Sequence, residues 1–226
     1  MSAYVSAFEL FSIGVGPSSS HTVGPMRAAR DFAARLRESG TLAQIVRVSC
    51  TLYGSLGATG IGHGTPDAVV VGLQGHEPET VEPAEVRAAW TNWTEGRALV
   101  LDGTRAVPFD KADVEFAPRT RLPGHPNAMT LRAYDSMAMD ASPLVSETYY
   151  SVGGGFIRRD GEPPRVSAHP FPLGFSDAAS LLDVCDERGI TIAEAARVNE
   201  EALRTDTEIA AGLDRIWDAM ASCVNA

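Results

Sequence analysis

The spacing of apolar residues along this chain changes twice, and each change marks a different kind of element. Between residues 25 and 40, Met26, Ala29, Phe32, Ala33 and Leu36 recur at helical intervals. Pro25 suits a first helical turn, where its missing N–H costs nothing, and Gly40 supplies a stop. Residues 45–53 then alternate, with Val46, Val48, Cys50 and Leu52 on one side, as a strand does. Thr65-Pro66-Asp67 reads as the N-cap, N1 proline and first-turn acid of a short apolar helix ending near Leu73. A further helix is expected from 83 to 95, carrying Val86, Ala89, Trp90 and Trp93, with Gly96 at its end.

Alternation returns next. Residues 98–103 and 104–109 flank Asp102-Gly103, a hairpin turn, and 112–117, 127–134 and 144–152 continue in the same style. Short strands with hairpin-length connections imply a largely antiparallel sheet. Helices before and between them make the fold α+β, a mixed sheet with packed helices. After Phe175 the period becomes 3.6 and Gly and Pro nearly vanish. Ser176 is expected to cap a helix closed by Gly189, and Thr191 with Glu194 forms a capping box for the next. Ile209, Leu213, Ile216, Trp217, Met220 and Val224 then make one stripe with no Gly or Pro stop. Either that stripe packs on the preceding domain or it awaits a further segment. The expected organisation is a domain over 1–175 and a C-terminal helical segment over 176–226.

Composition narrows the function. With 29 acidic against 19 basic residues the formal charge is -10, which opposes nucleic-acid binding and leaves small molecules or protein partners. No apolar run is long enough for a membrane span. Cys50, Cys185 and Cys223 are odd in number, far apart and without a CxxC, as for reduced thiols in a cytoplasmic protein. Neither they nor the scattered His63, His76, His125 and His169 make a self-contained metal site.

The densest chemistry lies in Gly14-Val15-Gly16-Pro17-Ser18-Ser19-Ser20-His21-Thr22-Val23-Gly24-Pro25. Small hydroxyls gathered at a helix start suit a carboxylate or phosphate, although Ser and Thr also cap backbone groups on their own. The missing lysine rules out a Walker A loop, and GxGxxG is absent. A second segment, Gly57–Asp67 in number, places His63 between glycines ahead of Thr65 and Asp67. An imidazole there suits proton transfer, the alternative being a plain loop histidine. A Ser-His-Asp hydrolase finds no G-x-S-x-G elbow and no preferred nucleophile among three adjacent serines. Gly153-Gly154-Gly155 forms either a ligand loop or a bulged turn.

These segments carry a family resemblance. GVGPSSSHTVGPM, YGSLGATGIGHGTPDAVVVGL, ETYYSVGGGF and the tail ending WDAMASCV resemble, in the same order, the beta domain of the iron–sulfur-dependent L-serine dehydratases. The resemblance covers essentially the whole chain. It implies conversion of L-serine to pyruvate and ammonia, with a [4Fe–4S] cluster whose cysteines belong to a separate alpha domain. It implies His63 as the catalytic histidine, and Ser18, Ser19, Ser20, His21 and Thr22 as a substrate-facing or interdomain loop, supported by Thr65 and Asp67. Where some members carry a second histidine after the first, this chain has Gly64. The implied partners are L-serine, the alpha domain and a second copy in a homodimer, with no cluster bound by this chain alone. The same domain resembles an allosteric substrate-binding domain, which keeps a regulatory carboxylate-binding module as the alternative.

Overall fold

The computed structural model describes residues 4–163 and 171–225; His169 lies outside them. Two compact units result. Gly14–Pro163 form one, and the described residues on either side, 4–13 and 171–225, form the other. In chain order the helices are α1 (Ala7–Leu10), α2 (Gly24–Glu38), α3 (Gly54–Thr59), α4 (Thr65–Leu73), α5 (Pro83–Val86), α6 (Ala178–Arg188), α7 (Ile192–Glu201) and α8 (Asp206–Asn225). The strands are β1 (Arg47–Tyr53), β2 (Ala98–Leu101), β3 (Arg105–Pro108), β4 (Val114–Ala117), β5 (Asn127–Tyr134), β6 (Val145–Gly153) and β7 (Phe156–Arg159). None of the described helices is long and apolar enough to cross a membrane.

A five-stranded sheet in the order β4-β1-β5-β6-β7 forms the centre of the larger unit. β1 and β4 run parallel, and the other three pairings are antiparallel. The fold is therefore α+β with a mixed, largely antiparallel sheet. Register explains its two faces. Cys50 lies opposite Leu131 and Leu52 opposite Met129, and these join Val48, Ala133 and Tyr149 in the buried core. The intervening residues put Ser49 opposite Arg132 and Thr51 opposite Thr130 on the other side. That is the alternation of a sheet with one face on the core.

α2 and α4 supply the helical side of that core. Met26, Ala29, Phe32, Ala33 and Leu36 of α2 are all fully buried, as their spacing predicts. Every residue of α4 is buried, so its apolarity all round is its environment and not an amphipathic stripe. β2 and β3 form a separate hairpin, turned at Asp102 (φ 45°) and Gly103 (φ 65°). Leu101 pairs with Arg105, so the connection has three residues, and positive φ at Asp102 and Gly103 lets the Thr104 N–H donate back to the Leu101 carbonyl.

Several expectations need correction. Thr65 is not an N-cap: Gly64, at φ 64°, occupies that place, and Thr65 begins the helix. The helix expected over 83–95 stops at Val86. Its backbone becomes extended at Arg87 and left-handed at Ala88, with φ 64°. The cause lies elsewhere in the chain. Asp67 Oδ1 accepts hydrogen bonds from the Trp90 and Thr91 N–H groups, both at 2.8 Å, and Oδ2 accepts one from Thr91 Oγ1. A left-handed alanine costs about 1–2 kcal/mol. Hydrogen bonds to a charged group contribute about 1.5–3 kcal/mol each, so the carboxylate wins and the helix breaks.

In the smaller unit, α6 is capped by Asp177 in place of Ser176, with Ser180 completing a capping box. Gly189 closes α6 at φ 63°, and the Thr191–Glu194 box opens α7 as expected. Leu173, Cys185 and Ala195 form a small core. Asn199, fully buried, bonds both the N–H and the carbonyl of Leu173. The α8 stripe does not pack as a whole. Ile209 is 3% exposed, whereas Leu213, Trp217, Met220 and Val224 are 46%, 68%, 41% and 84% exposed.

Replacing Asp67 by Ala strands two amide donors far from their only carboxylate. Asp67→Ala is expected to lower unfolding stability by about 3 kcal/mol, read from chemical denaturation. A change within about 0.5 kcal/mol, the range of an ordinary surface substitution, would remove Asp67 from this role.

Candidate functional site

Two loops meet beyond the C-terminal end of β1. The first is a single π-helical turn, Ser19–Val23, that leads directly into α2. Ser18 starts it: its Oγ accepts from the His21 N–H at 3.2 Å, while its own N–H donates to Thr22 Oγ1 at 3.3 Å. The second loop, 60–64, links α3 to α4 and carries His63.

The loops are bound to each other reciprocally. Thr22 Oγ1 donates to the His63 carbonyl at 2.8 Å, and Thr65 Oγ1 donates to the His21 carbonyl. Both threonines are buried, at 1% and 0% exposure. Each loop's threonine thus holds the backbone of the other loop's histidine. The two imidazole rings come to 4.8 Å between centroids, tilted by 42°.

The histidines differ in their partners. His63 Nδ1 lies 2.9 Å from the Thr59 carbonyl. A carbonyl can only accept, so Nδ1 carries the proton, and Nε2 of the neutral ring presents a lone pair. His21 lies between two hydroxyls, with Nδ1 at 2.9 Å from Ser20 Oγ and Nε2 at 3.0 Å from Ser55 Oγ. A hydroxyl can donate or accept, so either tautomer of His21 is satisfied. Burial, followed by the neighbouring His63, pushes the His21 pKa below its ordinary value. His21 is therefore neutral near pH 7.

Ser55 was not among the residues singled out from sequence. β1 delivers it: the chain leaves Tyr53, turns at Gly54 with φ 51°, and places Ser55 in the first turn of α3. A side chain on Gly54 would meet the Pro126 carbonyl, so the turn admits only glycine. The YGSLG segment was a signal for the loop, but no local pattern pairs Ser55 with a histidine 34 residues earlier.

Ser18, Ser20, His21, Thr22, His63 and Thr65 are thus brought together. Ser19 is exposed, and no hydrogen bond of its hydroxyl occurs among the described residues. Asp67 is directed elsewhere, onto Trp90 and Thr91. Beside the clasp opens a cavity of about 450 Å³ bounded by Gly16, Thr22, Gly64, Asp67 and Arg87. Gly153, Gly154 and Gly155 form the turn between β6 and β7, with a register shift at Ser151/Gly153. Arg27 Nη1 donates to the Gly155 carbonyl at 2.8 Å. Among the described residues no three His, Cys, Asp or Glu gather as a metal site. Cys50 is buried in the sheet, which pushes its thiol up to about 12, and Cys185 is buried in the other unit.

Comparison with known proteins gives one consistent result. The family model for the serine dehydratase beta chain matches residues 6–162. An L-serine dehydratase of Streptomyces coelicolor is 44% identical over 231 residues, covering 98% of this chain and 49% of that protein. One from Mycobacterium bovis is 41% identical over 221 residues, 97% of this chain and 47% of that protein. One from Helicobacter pylori is 38% identical over 225 residues, 98% and 48% respectively. The chain spans about half the length of the curated relatives it matches.

The lowered His21 pKa has a consequence for stability. Unfolded His21 titrates near its ordinary 6.5, while folded His21 resists the proton until lower pH. Within that window the unfolded chain binds more protons, so stability falls as pH drops through 6.5. His21→Gln removes this group from both states. Denaturation midpoints followed from about pH 7.5 to about pH 5.5 are expected to fall less steeply for the variant than for the parent. Equal slopes would contradict the assignment.

Proposed function

The chain belongs to the serine dehydratase beta-chain family, and on that premise we propose that it is the first half of an L-serine dehydratase. The reaction removes water from L-serine to give aminoacrylate, whose imine tautomer takes up water to yield pyruvate and ammonia. The observation that carries this reading is the clasped histidine pair, with one Nε2 lone pair uncommitted.

Removal of the poorly acidic α-proton needs a base in reach of the substrate carbon. His63 fits: its Nδ1 proton is held by the Thr59 carbonyl, which fixes the ring and leaves Nε2 to accept. His21, neutral and set between Ser20 and Ser55, lies against the His63 ring without adding charge to it. The exposed Ser19 hydroxyl belongs to the face that meets the substrate. The family's iron–sulfur cluster does not fit the described residues of this chain. Its cysteines are one in the sheet, one in the helical core and one exposed at Cys223. On this reading the cluster and its ligands come from the alpha domain, towards which 176–226 leads, and the complete enzyme acts in the cytoplasm as a homodimer.

The experiment is pyruvate release from L-serine, measured for this chain alone and for the complete enzyme. No turnover is expected from the chain alone, and pyruvate production by it would sink the half-site reading. In the complete enzyme, His63→Ala is expected to lower kcat by about 10²–10⁴-fold, the usual contribution of a general base. His76→Ala, at an exposed position beside Glu85, is the control and should leave kcat within about twofold. Equal losses in the two variants would take the base role from His63.

A further inference from the structure

A second cavity, of about 470 Å³, lies at the other end of β1 from Ser55. Arg47 is the first residue of that strand, so a rise of about 3.3 Å per residue puts the cavity about 20 Å from the histidine pair. Its walls bring together two guanidinium groups, Arg47 and Arg97, and two carboxyl groups, Asp110 and Asp113, over an apolar surface of Phe109 and Met137.

Both arginines are held by aromatic rings. Arg47 stacks on the Tyr134 ring at 3.8 Å, and Arg97 stacks on Trp93 at 4.3 Å. Stacking fixes the plane of a guanidinium and leaves its N–H edge presented for a planar acceptor. Among the described residues neither arginine forms an ion pair. Arg47 Nη2 donates to the Ala138 carbonyl at 3.3 Å, but its buried Nε has no partner.

The two acids are fixed as well. Asp110 and Asp113 form a reciprocal capping box, in which Asp113 Oδ2 accepts from the Asp110 N–H at 2.7 Å. Burial pushes the Asp113 carboxyl above its ordinary range, partly countered by the hydrogen bond from the Asp110 N–H and then by Arg47. A simple anion in this cavity would face two carboxylates, and a simple cation would face two guanidiniums. A molecule carrying both charges on adjacent atoms meets neither penalty.

We propose that this cavity binds a small zwitterion, an α-amino acid, with its carboxylate on Arg47 and Arg97 and its ammonium on the Asp110–Asp113 pair. The apolar wall of Phe109 and Met137 then receives an aliphatic side chain. No residue of the histidine cluster takes part, so this site stands or falls separately from the dehydratase reading.

The test is an amide NMR titration of the full chain with L-alanine, beside propionate and ethylammonium, which each lack one of its two charges. L-alanine is expected to shift residues 96–98 and 106–113 saturably, and each single-charge analogue to bind at least about tenfold more weakly. Arg97→Met, at an exposed position, and Arg47→Met should each weaken L-alanine by about tenfold or more. Asp113→Asn should weaken L-alanine while leaving propionate unchanged. Absence of saturable shifts at this cavity, propionate binding as well as L-alanine, or binding indifferent to Arg97→Met would each overturn the proposal.

Discussion

The exchange of threonine hydroxyls between two loops is the contact on which the arrangement of this site depends. Thr22 bonds the His63 carbonyl and Thr65 bonds the His21 carbonyl, both from buried positions. Breaking either bond leaves a buried threonine hydroxyl without its acceptor, so the loops cannot shift independently at low cost. The turn before α2 and the turn before α4 thereby become one piece. Two helices that pack side by side in the core carry the histidines on their adjoining N-terminal ends. Tertiary packing and site geometry are here the same constraint, seen at two positions along the chain.

A second polar group extends that order through the long connection from β1 to β4. These strands are parallel neighbours, so the intervening 60 or so residues must return across the sheet, which about a dozen residues could do. Asp67, anchored in α4, holds the middle of that excursion by binding the Trp90 and Thr91 amides. The chain beyond is then fixed by Trp93, whose Nε1 donates to the Phe109 carbonyl at 3.1 Å. Asp67 therefore acts on the site through the scaffold, which is a different role from that of Thr65 two residues away.

Periodic features were legible in the sequence because their causes are local. The apolar face of α2, the Asp102-Gly103 turn and the Thr191–Glu194 box each follow from residues within one element. The two loops stood out for the same reason: hydroxyls, histidines and glycines are concentrated there. What the pattern could not supply was long-range. The break at Ala88 is imposed by the Asp67 carboxylate, which binds the Trp90 amide 23 residues later, and nothing in residues 83–95 records it. Ser55 sits in a six-residue helix of Gly, Ser, Leu, Ala and Thr, too short for a period to emerge. β7 is four residues long and pairs through a bulge, which hides its alternation. The α8 stripe shows a further limit: period identifies an apolar face but not what covers it.

The choice of partners at the histidines is informative in a chain with 29 acidic residues and a net charge of -10. A carboxylate against either ring would favour the imidazolium and hold its proton. Among the described residues, the ring nitrogens meet only hydroxyls and a carbonyl: Ser20, Ser55 and Thr59. Burial and the neighbouring His63 push the His21 pKa down, against a smaller opposing effect of its hydrogen bond with Ser55. The nearest acid in sequence, Asp67, has both oxygens occupied by backbone and hydroxyl donors. With that carboxylate engaged elsewhere, no acid lies against the ring nitrogens among the described residues. In the clasp, uncharged bonds of hydroxyl to carbonyl fix the two histidine-bearing segments against each other, and the charge of His21 is left to burial and its neighbours.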